Sequence, residues 1–293
     1  MSKTQPLVEV FGFSVDDKSK DAKRSISNRL CPFNNIQPHC TKDKIAEPLG
    51  VCSLFHNGDP VVICPIRFTQ EWLIISEASR FFFGSSANTT SFREVPLREA
   101  SGKSAGNIDY VVVKYDEFGN IEDYGALEVQ AVYISGNIRS PFESFVKDRA
   151  RFSKTDWTKS LKYPKPDFLS SSRKRLAPQL LFKGRILEAW NRKTAVAIDE
   201  AFYRTLPKMK KVAMKDANLL WMVFDLVKDT NTGQFKLTLS KLHPTRFDEA
   251  MERITIPEIG AEEPFVKELS KRLKKTGIIA KTSIKLSRKK KVK

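Results

Sequence analysis

Apolar positions come in short, differently spaced runs along this chain, and their spacing predicts most of its elements. Residues 1–70 hold brief apolar stretches broken by turn formers, with VVICPIRF (61–68) the clearest strand, so this part reads as a small irregular module. QEWLIISEASRFFFG (70–84) has helical spacing and a glycine stop at Gly84. SSANTTS (85–91) is a polar loop. NIDYVVVKY (107–115) and DYGALEVQAVYI (123–134) are dense in β-formers and flank DEFGNIE, whose Gly119-Asn120 pair supplies the turn of an antiparallel hairpin. Residues 140–155 and 178–193 have helical spacing and are separated by the proline-punctuated loop YPKPDFLSSSRKRLAP (163–178). TAVAIDEAF (194–202) and NLLWMVFDLV (218–227) read as strands buried on both faces, the second turning through DTNTG into FKLTLSKL. HPTRFDEAMERI (243–254) predicts a short helix capped by Thr245, followed by a basic helix and a loose tail.

One strand breaks its own pattern. Glu128 and Gln130 share a face with Tyr124, Ala126 and Val132, while Leu127, Val129 and Ala131 point the other way. A hairpin turning near Phe118 to Asn120 brings Asp109 close to Glu128, although a one-residue slip would move it to the opposite face. Two carboxylates in a low-dielectric place repel and are costly to bury. A Mg²⁺ ion would resolve both problems, polarise a phosphodiester and lower the pKa of a bound water, with the Gln130 amide aiming that water. The competing reading of the same spacing is an acid and an amide on the solvent face of an antiparallel sheet.

The chain has 293 residues, 41% of them hydrophobic, and a formal charge of +17. That charge is regional. Residues 139–193 carry a surplus of 10 basic groups and residues 266–293 a surplus of 11, which leaves the remainder at −4. Two basic blocks point to a polyanionic partner such as nucleic acid over a membrane surface. Arg139, Lys147, Arg149 and Arg151 directly follow the Glu128 strand, and Arg173, Lys174 and Arg175 sit in the next loop; both groups are candidates for phosphate clamps or guanine contacts. No apolar run approaches the roughly 20 residues of a membrane span, and the N-terminus lacks the order of a signal peptide, so a cytoplasmic protein is expected.

All four cysteines lie in the first quarter, spaced C-x8-C-x11-C-x11-C at Cys31, Cys40, Cys52 and Cys64. A reducing compartment argues against disulfides. The spacing lacks tight zinc knuckles, which leaves a thiolate site for zinc or a single iron and small buried thiols as alternatives.

CPF (31–33), GVCS (50–53), VICPIRF (62–68), ASRFFFG (78–84) and YGALEVQ (124–130) occur in the order and rough spacing of the NotI restriction endonuclease family, which the chain resembles best from Val8 to Tyr133. The resemblance implies an α/β fold with a PD-(D/E)xK nuclease core, a mixed sheet flanked by helices. It implies a type II restriction enzyme acting as a homodimer on a palindromic DNA site, in a prokaryote with a companion methyltransferase. Asp109 then matches the first metal-binding acid and Glu128 the second, with magnesium between them, and Gln130 stands where most of the wider superfamily has lysine. Cys31, Cys40, Cys52 and Cys64 match a structural iron site, where zinc is the substitute. Asp116, Glu117 and Asp123 compete with Asp109, and Glu77 is a further acid that could approach the site. The expected organisation is a four-cysteine metal-binding module over 1–70, a nuclease core with DNA-recognition elements over 71–260, and a basic helix and tail over 261–293. The alternative function is a non-catalytic, metal-stapled DNA-binding protein; a nuclease directed to RNA or to DNA structure is a third.

Overall fold

Near the N-terminus, β1 (Leu7–Val10), β2 (Phe13–Ser14), β3 (Val51–His56) and β4 (Asp59–Val62) form a small antiparallel sheet in the order β2-β1-β3-β4, in a computed structural model that describes residues 4–44 and 46–275. The expected strand VVICPIRF stops at Val62, because Pro65 cannot continue a ladder and instead opens a 3₁₀ turn, Pro65–Trp72. The helix Leu73–Phe83 follows and ends at Gly84, whose φ of +83° is cheap only for glycine.

The main sheet has six strands. β5 (Thr89–Arg98), β6 (Ser104–Tyr115) and β7 (Ile121–Gln130) run antiparallel, and Tyr110 pairs with Leu127. The chain then leaves the sheet. It passes the short pair β8 (Ile134–Ser135) and β9 (Lys165–Pro166), and returns as β10 (Thr194–Asp199), β11 (Leu219–Lys228) and β12 (Phe235–Thr245). β10 lies parallel to both β7 and β11, and β12 is antiparallel to β11, giving the order β12-β11-β10-β7-β6-β5. A parallel return needs a long crossover, and residues 131–193 supply it with helices. The fold is therefore a mixed α/β sheet flanked by helices, consistent with a PD-(D/E)xK-like core.

β5 was expected to start as a polar loop. It is an edge strand in which exposed Thr90, Phe92, Glu94 and Pro96 alternate with half-buried neighbours, so it shows little apolar signal, and an edge tolerates the missing N–H of Pro96. The loop expected around SSSRKRLAP is also helical. Asp167 accepts the N–H of Ser170, and helix then runs over 168–189 with π-helical turns at Ser172–Leu176 and Leu180–Gly184 on either side of Pro178. A proline removes one helical N–H, and the wider turns accommodate that loss. The helix Phe247–Thr255 starts where expected, but Thr245 does not cap it: its hydroxyl donates to Leu219 O and accepts from Trp221 Nε1, and Asn218 Oδ1 receives the N–H of Phe247.

Two apolar layers enclose the sheet. On one face Leu127, Ala195, Ala197 and Leu220 pack with Ile74, Ala78 and Phe82 of the helix Leu73–Phe83. On the other, Val196, Ile198, Trp221 and Val223 join Leu176, Leu180 and the core of the small sheet. Gly125 lets the first layer close: a Cβ there would stand 2.6 Å from the Phe82 ring. Gly125→Ala is expected to destabilise the protein by about 1–3 kcal/mol, read as a lower urea midpoint with an unchanged slope.

Among the described residues, those up to Thr255 form one unit and those from Ile256 on belong to a second. The second contains the helix Glu263–Lys275, with no buried side chain. The basic end expected to be loose, 276–293, lies outside the described residues. No helix among the described residues is long and apolar enough to cross a membrane.

Candidate active site

The register that pairs Tyr110 with Leu127 sets Asp109 across from Glu128, so both acids fall on one face of the hairpin, the face turned toward the helix over 168–189. Asp109 Oδ2 accepts the N–H of Val129 at 2.7 Å. Glu128 is 3% exposed. Its Oε2 accepts from Lys183 Nζ at 2.5 Å, and its Oε1 has no hydrogen-bond partner. Burial, followed by the charge of Asp109, pushes the Glu128 carboxyl up to about 8 against the pull of Lys183. Burial raises Asp109 as well, opposed by the Val129 N–H and by Lys183.

Asp109 and Gln130 open onto a cleft of about 300 Å³ whose wall includes Arg93, Glu94, Tyr133, Arg175 and Gln179. Gln130 Nε2 donates to Ala131 O at 2.9 Å, which leaves its Oε1 as an acceptor. Arg175 stacks over Tyr133, 4.8 Å from the ring centroid, and Arg93 lies over Tyr110. Glu94, on β5 beside Asp109 of β6, has a φ of +52° within an extended strand, a strain of about 1–3 kcal/mol of the kind that collects at functional sites.

The other candidates are placed as follows. Asp116 accepts three hydrogen bonds within its own turn from Phe118 and Asn120, and Asp123 pairs with Arg192. Glu77 sits on the helix that covers the Leu127 face, on the far side of the sheet from Glu128, and pairs with Arg80 at 2.8 Å. Arg139 pairs with Asp43, and Arg149 donates at 2.6 Å to Val15 O and Asp17 O, so both are committed within the chain. Lys147, Arg151, Arg173, Lys174 and Arg175 are exposed.

The metals expected from the sequence do not stand. Cys31, Cys40, Cys52 and Cys64 are buried, unpaired thiols that border one small cavity with Lys42, Phe11 and Phe33. Yet no group of three or more His, Cys, Asp or Glu among the described residues is placed to hold a metal ion, which removes iron and zinc from the cysteines and magnesium from Asp109 and Glu128. The physical reasons differ. Burial raises the Cys31 thiol to about 11 and lifts Cys40 and Cys52, which favours neutral SH groups. The module needs no staple, because Leu7, Val10, Val51, Leu54 and Val61 share one continuous core with the main sheet. At Glu128 the neighbouring cation is an ammonium.

Lys183, Arg93 and Glu94 were missed from the sequence. For Lys183 a signal existed: it occupies the place of an apolar residue in the buried helical stripe Leu176, Leu180, Leu187. An amine at such a position needs a buried partner.

No curated protein matches the chain. A family described as Restriction endonuclease NotI matches residues 9–237, a span that contains both strands of the hairpin, the cleft wall and the helix carrying Lys183. That match covers most of the chain, and the protein accordingly belongs to the NotI restriction endonuclease family.

Proposed function

We propose that the protein is a site-specific endonuclease that hydrolyses phosphodiester bonds of double-stranded DNA. The observation that carries this reading is the family match over 9–237, within which Asp109 and Gln130 border a cleft rimmed by Arg93 and Arg175. In the proposed reaction a water attacks phosphorus, the bond to the 3′ oxygen breaks, and that oxygen leaves as a hydroxyl by taking a proton from solvent. Gln130 Oε1 accepts a hydrogen bond from that water and orients it. Asp109, whose carboxyl burial raises above the usual aspartate range, takes its proton. Arg93 and Arg175 hold the phosphate oxygens, and exposed Lys147, Arg151, Arg173 and Lys174 add backbone contacts along the duplex. A palindromic site presents two equivalent half-sites, so the acting species is a two-fold homodimer. The host system is a prokaryotic cytoplasm in which a companion methyltransferase protects the same sequence.

The pairing of Glu128 with Lys183 favours a second reading, a DNA-binding protein without catalysis, since a neutralised buried pair is also a common structural device. Incubating the purified protein with long DNA of known sequence in restriction-digest buffer separates them. Discrete fragments with uniform ends are the expected result. Binding without cutting overturns the nuclease reading in favour of the second, and a smear or a preference for RNA or junctions overturns its site specificity.

A further inference from the structure

Arg67 and Lys183 are the buried arginine and lysine side chains among the described residues, and their settings differ. Arg67 braces the small sheet through Glu9, Gln70 and Phe235 and contacts none of the cleft's acids. Lys183 reaches directly behind the cleft, with Nζ donating 2.8 Å to Asn107 O and 2.5 Å to Glu128 Oε2. The first contact lies two residues from Asp109 on β6 and the second two residues from Gln130 on β7, so one ammonium ties together the strands that carry the cleft's polar groups.

The surrounding backbone fixes how deeply this amine enters. Lys183 lies in the π-helical turn Leu180–Gly184, a widened turn that changes which side chains face the sheet. Gly184 allows the helix to rest on Phe247, where a Cβ would stand 2.5 Å from the ring. Gly106, at φ +103°, lies along the lysine stem, where a Cβ would meet Cδ at 3.8 Å. The close approach of Gly184 to Phe247 holds the helix at one depth.

The electrostatics give the amine a task. Asp109 and Glu94 line a cleft in which a phosphodiester would gather further negative charge as it is attacked, and Glu128 lies buried behind Asp109. Arg93 and Arg175 neutralise the rim. Behind Glu128 the compensating cation is Lys183, in a low-dielectric place where a fixed charge acts more strongly than it does in water.

The geometry points to Lys183 as a positioning residue for cleavage: it holds the Glu128 carboxylate in place across β6 and β7 and supplies fixed positive charge behind the reacting phosphate. This inference rests on the nuclease reading above. It predicts that charge matters beyond packing, and that a different cation at the same position restores part of the function.

The test compares full-length wild type, Lys183→Gln, Lys183→Met and Lys183→Arg in single-turnover cleavage, DNA binding and thermal unfolding. Lys183→Gln keeps a donor for Asn107 O and Glu128 without the charge. It is expected to fold, to bind DNA within a few-fold of wild type, and to cut about 100-fold or more slowly. Lys183→Arg keeps the positive charge and donors for Asn107 O and Glu128, and is expected to cut at least about tenfold faster than Lys183→Met. Wild-type cutting by Lys183→Gln, or Lys183→Arg no faster than Lys183→Met at equal folded fraction, overturns the inference and leaves the nuclease reading intact. Loss of cutting that merely tracks loss of folded protein overturns it too. A wild-type protein that cuts nothing overturns the nuclease reading itself, and this role with it.

Discussion

Glu128→Gln is expected to slow DNA cleavage by about 100-fold or more while leaving DNA affinity within a few-fold, measured by single-turnover digestion and by binding titration on the same preparation. The substitution conserves volume and leaves an amide oxygen for Lys183 Nζ, so the fold persists while the carboxylate is gone. Equal cutting by wild type and variant would remove Glu128 from the chemistry. Glu128→Ala is a poorer probe, because it strands the Lys183 ammonium in a site where that residue is 4% exposed, at a cost of about 3–5 kcal/mol. The glutamine variant also tests the burial of the carboxyl. In the folded chain Glu128 titrates near 8, above the roughly 4.3 of an unfolded glutamate. A raised folded pKa means that the native state holds its proton more firmly, so this stabilising contribution is complete below about 4.3 and is lost as the pH climbs through 8. Glutamine cannot titrate. The stability of Glu128→Gln relative to wild type is therefore expected to rise steadily between pH 5 and pH 8 in urea unfolding, and a flat difference would show that the carboxyl is not held up by burial.

The hairpin was readable from the sequence because its two signals agree: β-forming runs on both sides and a Gly119-Asn120 turn that sets the register. Register alone then puts Asp109 and Glu128 on one face, with no further information about the fold. The rest of the cleft depended on tertiary partners. β5 has the composition of a loop and becomes a strand only because β6 offers it an edge, so Arg93 and Glu94 could not be placed beforehand. The helix over 168–189 is disguised by serines and Pro178, and Lys183 looked like one more member of a basic block although its neighbours on the helix are leucines. The metal expectations failed for a related reason. Four cysteines or two acids in a sequence state which ligands are available, whereas their mutual geometry is decided by packing. Here that packing buries the thiols beside Lys42 and the rings of Phe11 and Phe33, and offers Glu128 an amine.

Arg67→Met is expected to lower the thermal midpoint by about 10 °C, following a loss of roughly 3–5 kcal/mol. The residue lies in the VICPIRF stretch, and its side chain and that of Glu9 are both wholly buried. Arg67 Nε donates to both Glu9 oxygens at 3.1 Å, one terminal nitrogen to Gln70 Oε1 at 2.6 Å and the other to Phe235 O at 2.9 Å, while the guanidinium lies 4.1 Å from the centroid of the Phe33 ring. Ser53 Oγ adds a 2.7 Å bond to Glu9 Oε2. One side chain thus joins β1, the turn after β4, the cysteine-lined segment and β12, so the N-terminal sheet is tied to the main one by a cation rather than by a metal. Methionine fills much of the volume but leaves the Glu9 carboxylate without its counter-charge in a site closed to water, and that stranded charge is the main source of the cost. Adding Glu9→Gln to Arg67→Met removes the stranded charge and is expected to return about half of the lost midpoint, which calorimetry on the two variants measures. A double variant no more stable than Arg67→Met would show that lost packing against Phe33 and Phe235, and not the unpaired carboxylate, sets the penalty.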